Sequence, residues 1–116
     1  MKIGFIGLGN VGGKLANNLL KNRYKLVVRD LDPRLSKIFS KKGAFVADSP
    51  KELAKECDVI ITCLPSPKIC KKVMTSKNGV LRGLSKNKVW LEMSTTDQFE
   101  VKKIGLMVKK KGAYAL

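Results

Sequence analysis

Apolar residues recur along this chain in two alternating rhythms. Short apolar runs alternate with longer stretches in which apolar positions return every three or four residues, the first rhythm predicting strands and the second helices. A strand is expected over residues 2–6 and a helix over 10–21, with Val11, Leu15 and Leu19 on one face. A second strand follows at 25–29. The next helix begins after Asp32-Pro33, with Pro33 near its first turn, and runs to Lys42 before Gly43 stops it. A short strand is expected at 44–47; then Asp48 or Ser49 caps a helix that starts at Pro50 and turns Leu53 and Ala54 inward. The run Asp58-Val59-Ile60-Ile61-Thr62-Cys63-Leu64 is apolar on both faces, as a central parallel strand must be. Pro65-Ser66-Pro67 breaks it, a helix over 67–74 follows, and Asn78-Gly79 marks a turn. Val89 to Met93 reads as the next strand, Asp97 opens a last helix to about Lys111, and residues 113–116 begin another strand after Gly112. Strand and helix alternate without a hairpin signal. The expected fold is α/β, a doubly wound parallel sheet with helices on both faces, in one domain over residues 1–116.

The junction between the first strand and the first helix carries the chemistry. Gly7-Leu8-Gly9-Asn10-Val11-Gly12 is G-x-G-x-x-G in strand-to-helix context, the Rossmann-type dinucleotide fingerprint. Gly7 is expected to make the tight turn, Gly9 to let backbone approach a pyrophosphate, and Gly12 to bring the helix close to the sheet. The free N–H groups of that helix terminus, and its dipole, then favour the pyrophosphate's charge. At the end of the second strand, Asp30 lies 18 residues past Gly12, where a carboxylate accepts from ribose hydroxyls and repels a 2′-phosphate. NAD is therefore favoured over NADP. Arg29 leaves NADP as the alternative, since it is free either to swing toward a phosphate or to stack on adenine. Asp30 is also placed to start a turn with Asp32-Pro33.

Composition narrows the classes. With no histidine among 116 residues, Ser-His-Asp and Cys-His catalysis and histidine metal sites are excluded. Cys57, Cys63 and Cys70 lack metal-ligand spacing and are expected to be reduced and mostly buried. No apolar stretch approaches the roughly 18–20 residues of a membrane span, and Met1 leads at once into the first strand, so a cytoplasmic protein without a membrane partner is expected. The net charge of +15 raises nucleic-acid binding, but 20 of the 24 cations are lysines spread over every expected helix. With few arginines and no interleaved aromatics, solvated helix faces explain the charge better than a specific nucleic-acid partner.

Three further segments have no generic explanation: Ala47-Asp48-Ser49-Pro50-Lys51-Glu52-Leu53-Ala54, Thr62-Cys63-Leu64-Pro65 and Met93-Ser94-Thr95-Thr96. With Gly4 to Gly12 they make the chain resemble the N-terminal part of the β-hydroxyacid dehydrogenases. This family includes 3-hydroxyisobutyrate dehydrogenase, tartronate semialdehyde reductase and, more distantly, 6-phosphogluconate dehydrogenase. The resemblance implies that Leu64, Pro65 and Ser66 pass beside the cofactor, unless Ser66 is only a helix cap. It implies that Ser94, Thr95 and Thr96 serve the substrate carboxylate, with Thr95 also at the nicotinamide end; Thr96 is equally placed to cap the helix near Asp97.

Two departures are mild: Val11 stands for the usual methionine and Glu92 for the usual aspartate. The family's glycine-rich substrate segment and its helical domain, with the catalytic lysine and asparagine, have no counterpart in these residues. Lys14-Leu15-Ala16-Asn17-Asn18 imitates the family's K-x-x-N-N, but it lies on the pyrophosphate helix and is expected to face solvent. The resemblance thus implies a nicotinamide dinucleotide partner, a small β-hydroxyacid only in a full-length context, and little or no turnover by this chain. A non-catalytic dinucleotide-binding module is the alternative. Homo-oligomer formation is left open.

Overall fold

The computed structural model describes residues 1–94 and 97–116. Six strands form one parallel sheet: β1 (Lys2–Ile6), β2 (Lys25–Arg29), β3 (Phe45–Val46), β4 (Val59–Thr62), β5 (Val89–Glu92) and β6 (Tyr114–Ala115). Between them run α1 (Asn10–Lys21), α2 (Pro33–Lys41), α3 (Pro50–Glu56), α4 (Pro67–Thr75) and α5 (Gln98–Lys110). Each expected strand and helix forms within two residues of its expected limits. A short 3-10 turn at Val80–Arg82, after the Asn78-Gly79 turn, was not foreseen.

Local chemistry sets the helix starts. Asp32, Ser49, Ser66 and Asp97 each occupy an N-cap, and each side chain accepts the N–H of a residue in the following turn. Pro33, Pro50 and Pro67 stand at first helical positions, where a missing N–H costs nothing. Ser49, not Asp48, is the cap of α3.

The strand order is β3-β2-β1-β4-β5-β6, the order of the doubly wound dinucleotide fold. From β1 the chain winds outward through β2 to β3, then returns to the other side of β1 as β4. The alternation of side chains along each strand feeds two cores. Ile3, Phe5, Leu26, Val28 and Ile61 meet α1 and α2 through Ala16 and Phe39. Ile6, Val27, Ile60 and Trp90 meet α3, α4 and α5 through Leu53, Met74, Ile104 and Val108. A sheet buried on both faces explains why β4 is apolar at consecutive positions.

One expected face needs correction. On α1 the buried positions are Gly12 and Ala16, with Leu15 and Leu19 half-buried beside them, whereas Val11 is 64% exposed. Close approach of α1 to the sheet leaves room only for small residues at the contact, so Val11 is turned toward the carboxyl ends of the strands. The lysines are exposed except Lys51 and Lys88, which are half-buried. Lys88 donates to the carbonyls of Ala54 and Lys55, at the end of α3, where a cation offsets the helix dipole. Among the described residues, no helix is long and apolar enough to cross a membrane.

The indole of Trp90 is almost fully buried and donates to Thr62 Oγ1 on the neighbouring strand at 2.9 Å. Replacing that acceptor strands a buried N–H. Thr62→Val is expected to cost about 1–3 kcal/mol in urea unfolding followed by the fluorescence of this single tryptophan, and Thr62→Ser to recover most of it. Equal stability of Thr62→Val and the parent would show that the bond contributes nothing.

Candidate cofactor crevice

The carboxyl ends of β1, β2, β4 and β5 enclose a crevice of about 640 Å3, within the usual range for small-molecule sites. It lies where the chain's winding direction reverses around β1, the position at which open α/β sheets bind ligands. Gly7, Gly9 to Gly12, Asp30, Leu64, Pro65 and Ser94 contribute to its wall.

The glycine loop is held from several sides. Gly7 has φ +102°, and a Cβ there would lie 2.1 Å from the carbonyl oxygen of Cys63. A Cβ on Gly12 would lie 1.9 Å from the carbonyl oxygen of Gly7. Gly9 differs: a Cβ there meets nothing within 4 Å. The fold therefore demands Gly7 and Gly12, while the space in front of Gly9 is open. Gly9 is also the N-cap of α1 and provides no side-chain acceptor. Among the helices of the described residues, α1 is the one α-helix so uncapped, and its first residues line the crevice. These features fit a pyrophosphate, whose oxygens would supply the missing acceptors and meet the positive end of the dipole.

Asp30 is fixed by both carboxylate oxygens. Oδ2 accepts the N–H of Leu8 at 2.7 Å, tying the glycine loop to β2, and Oδ1 accepts the N–H of Asp32 at 2.8 Å. Its turn-forming role is thus real, and each oxygen retains acceptor capacity toward the crevice. Arg29 also lines the crevice, yet its guanidinium donates to the Ala47 carbonyl at 3.0 Å, anchoring it toward β3.

At the other end, Ser94 Oγ accepts the N–H of Leu64 at 2.5 Å, joining the ends of β4 and β5. Cys63 is half-buried in the same wall, and burial followed by the charge of Glu92 pushes its thiol upward. Cys57 is fully buried, which pushes its thiol up to about 11. All three cysteines are free, and no cluster of metal-ligating side chains occurs among the described residues.

Of the expected site residues, Gly7, Gly9, Asn10, Val11, Gly12, Arg29, Asp30, Leu64, Pro65 and Ser94 converge on the crevice. Leu8 and Ser66 do not: the Leu8 side chain is buried in the core, and the Ser66 hydroxyl caps α4 by accepting from Ile69 N–H. Thr95 and Thr96 lie outside the described residues. Lys14 is exposed on α1 and absent from the wall. Sequence reasoning passed over Leu31, Leu35, Ile69, Val73 and Met93, which form the apolar wall. Leu35, Ile69 and Val73 read as ordinary helix core and Leu31 and Met93 as residues at strand ends, and nothing in their residue types marks them as ligand-facing.

The profile of a protein family, the NAD binding domain of 6-phosphogluconate dehydrogenase, matches residues 2–116. The chain belongs to that family. Over 111 residues it is 40% identical to the mitochondrial 3-hydroxyisobutyrate dehydrogenase of Mus musculus, covering 96% of this chain and 33% of the mouse protein. The chain thus spans about a third of the length of that relative. The 3-hydroxyisobutyrate dehydrogenase of Mycobacterium tuberculosis, solved with L-serine, superposes with a TM-score of 0.89 at 24% identity, over 98% of this chain and 38% of that one. Psf3, solved with NADP+ and 2-OPP, superposes at 0.91 with 20% identity, over 97% and 40%. These two likenesses establish the shared fold. The resemblance drawn from the sequence motifs therefore holds, and this NAD-binding domain has its crevice where the family fingerprint requires it.

The contrast between the glycines is testable without any ligand. Gly7→Ala is expected to lose about 1–3 kcal/mol or more from positive φ and collision with the Cys63 carbonyl. Gly9→Ala is expected to stay within about 0.5 kcal/mol of the parent. Equal losses in urea unfolding would mean that Gly9 is required by the fold and not by a ligand.

Proposed function

We propose that this chain binds NAD in the crevice and forms the cofactor half of a 3-hydroxyisobutyrate-dehydrogenase-like oxidoreductase. The observation that carries this reading is the conjunction at α1: an uncapped helix terminus behind a glycine whose Cβ position is empty. Asn10, Val11 and Gly12 would present amide donors to the pyrophosphate. Asp30, already oriented by Leu8 and Asp32, would accept from the adenine-side ribose. A 2′-phosphate would have to sit against this carboxylate, and Arg29 is turned to Ala47, which together favour NAD over NADP.

When bound, the nicotinamide ring would exchange hydride with the hydroxyl-bearing carbon of a β-hydroxyacid. The chain's own contribution is orientation. With the Leu64 N–H occupying an acceptor position of Ser94 Oγ, the hydroxyl proton is available to a carbonyl or carboxylate oxygen in the crevice. Thr95 and Thr96 belong to the same proposed substrate-facing segment. Among the described residues, the wall contains no lysine to serve as general acid or base. Turnover by these residues alone is therefore expected to be little or none. The three free thiols fit a cytoplasmic setting.

Calorimetry with NADH and NADPH tests the assignment. Saturable NADH binding is expected, lost in Gly9→Val, and tighter than NADPH binding by about tenfold or more from the carboxylate–phosphate repulsion. Asp30→Asn, which keeps an acceptor for one of the two backbone amides, should narrow that preference. Indifference of the wild-type chain to NADH would refute the reading, and equal affinity for the two cofactors would refute the role given to Asp30.

A further inference from the structure

Glu92, the last residue of β5, stands between α4 and the crevice with both carboxylate oxygens engaged. Oε2 accepts the thiol proton of Cys70 at 2.8 Å, and Oε1 accepts the N–H of Ser94 at 2.7 Å. Ser94 Oγ accepts the N–H of Leu64 at 2.5 Å, so Cys70, Glu92, Ser94 and Leu64 form one hydrogen-bonded series. It begins at a buried thiol on α4 and ends at two residues of the crevice wall. Burial, and then the bond to Glu92, push the Cys70 thiol upward, so it keeps its proton and acts as the donor.

The chemistry of the four groups gives the series a direction. An ionised carboxylate only accepts, and here a thiol and an amide supply one donor to each oxygen. If the thiol is removed, Oε2 loses the bond that fixes its rotation, and the carboxylate can turn away from Ser94. Ser94 N–H would then lose its acceptor, and the placement of Ser94 Oγ over Leu64 would loosen. Asp30 lies at the β2 end of the crevice and Ser94 at the β5 end. A dinucleotide with its adenosine at Asp30 and its pyrophosphate at α1 has only the β4 and β5 ends left for its nicotinamide half.

We infer that Glu92, oriented by Cys70, is a positioning residue for the nicotinamide half of the cofactor, acting through Ser94 and Leu64. This rests on the proposed cofactor reading. It gives Glu92 and Cys70 a joint purpose that helix and strand packing alone do not require. A hydrophobic pair would serve packing equally well.

The test compares NADH with ADP-ribose, which lacks the nicotinamide, by calorimetry on the wild-type chain and on Cys70→Ala, Glu92→Ala and Cys70→Ser, with thermal unfolding of each. In Cys70→Ala and Glu92→Ala, NADH should bind about tenfold more weakly while ADP-ribose stays within about twofold. Cys70→Ser, which restores an O–H donor, should bring NADH affinity most of the way back at a thermal stability close to that of Cys70→Ala. Parallel loss of both ligands would assign the residues a merely structural role and overturn the inference, as would unchanged NADH binding in both alanine variants. Failure of Cys70→Ser to rescue would remove the donor role of Cys70. A wild-type chain that binds neither ligand overturns the cofactor reading itself, and a wild-type chain that binds both with insensitive variants overturns this inference alone.

Discussion

The chain must pass from β1 into α1 through a turn with almost no free volume. Gly7 is pressed against the Cys63 carbonyl of β4's exit and Gly12 against the carbonyl of Gly7 itself. Gly7 N–H is taken by the Arg29 carbonyl, and Leu8 N–H by the Asp30 carboxylate. Two strands on opposite sides of β1 thus grip the turn, and the grip aims α1. Between the contacts at Gly7 and Gly12 the cap position falls to Gly9, which has no side chain to cap the helix, and the first residues of α1 line the crevice. The site combines a turn packed tightly at Gly7 and Gly12 with open space at Gly9.

That dependence explains why the crevice has distinct ends. β2 and β4 flank β1, so the residues that follow them, Asp30 on one side and Leu64-Pro65 on the other, necessarily bracket the glycine loop. β5 pairs with β4 and brings Ser94 to the far side. A carboxylate stands at one end and a hydroxyl at the other, with an apolar wall between them. No lysine enters the wall among the described residues, and the arginine that does, Arg29, is turned to the Ala47 carbonyl. The lysines are therefore expected to act on an anion by long-range attraction.

Much of this was legible in the residues. The rhythm of apolar positions gave the elements because a doubly covered sheet needs continuous apolar strands, and because Asp32, Ser49, Ser66 and Asp97 announce helix starts by a local bond that needs no tertiary context. The glycine loop and Asp30 were legible because backbone sterics and charge leave few residue types there. Other features were not. The outward turn of Val11 depends on which residues of α1 the sheet can accommodate, and the apolar wall from Ile69 and Val73 depends on how α4 leans over the crevice. The pairing of Cys70 with Glu92 joins residues 22 apart in sequence and has no motif. Leu8 shows the limit most clearly: its place in the fingerprint suggested a cofactor contact, while its side chain fills the core and its N–H serves Asp30.

The proposed cofactor site turns on the uncapped amides at the start of α1 receiving a pyrophosphate. Backbone amide NMR during a titration with NADH tests it most directly. Saturable shifts are expected to concentrate at Gly9, Asn10, Val11 and Gly12, with the same apparent affinity as shifts at Asp30 and Ser94. Shifts confined to the lysine-rich helix faces, with the α1 terminus unmoved, would contradict it.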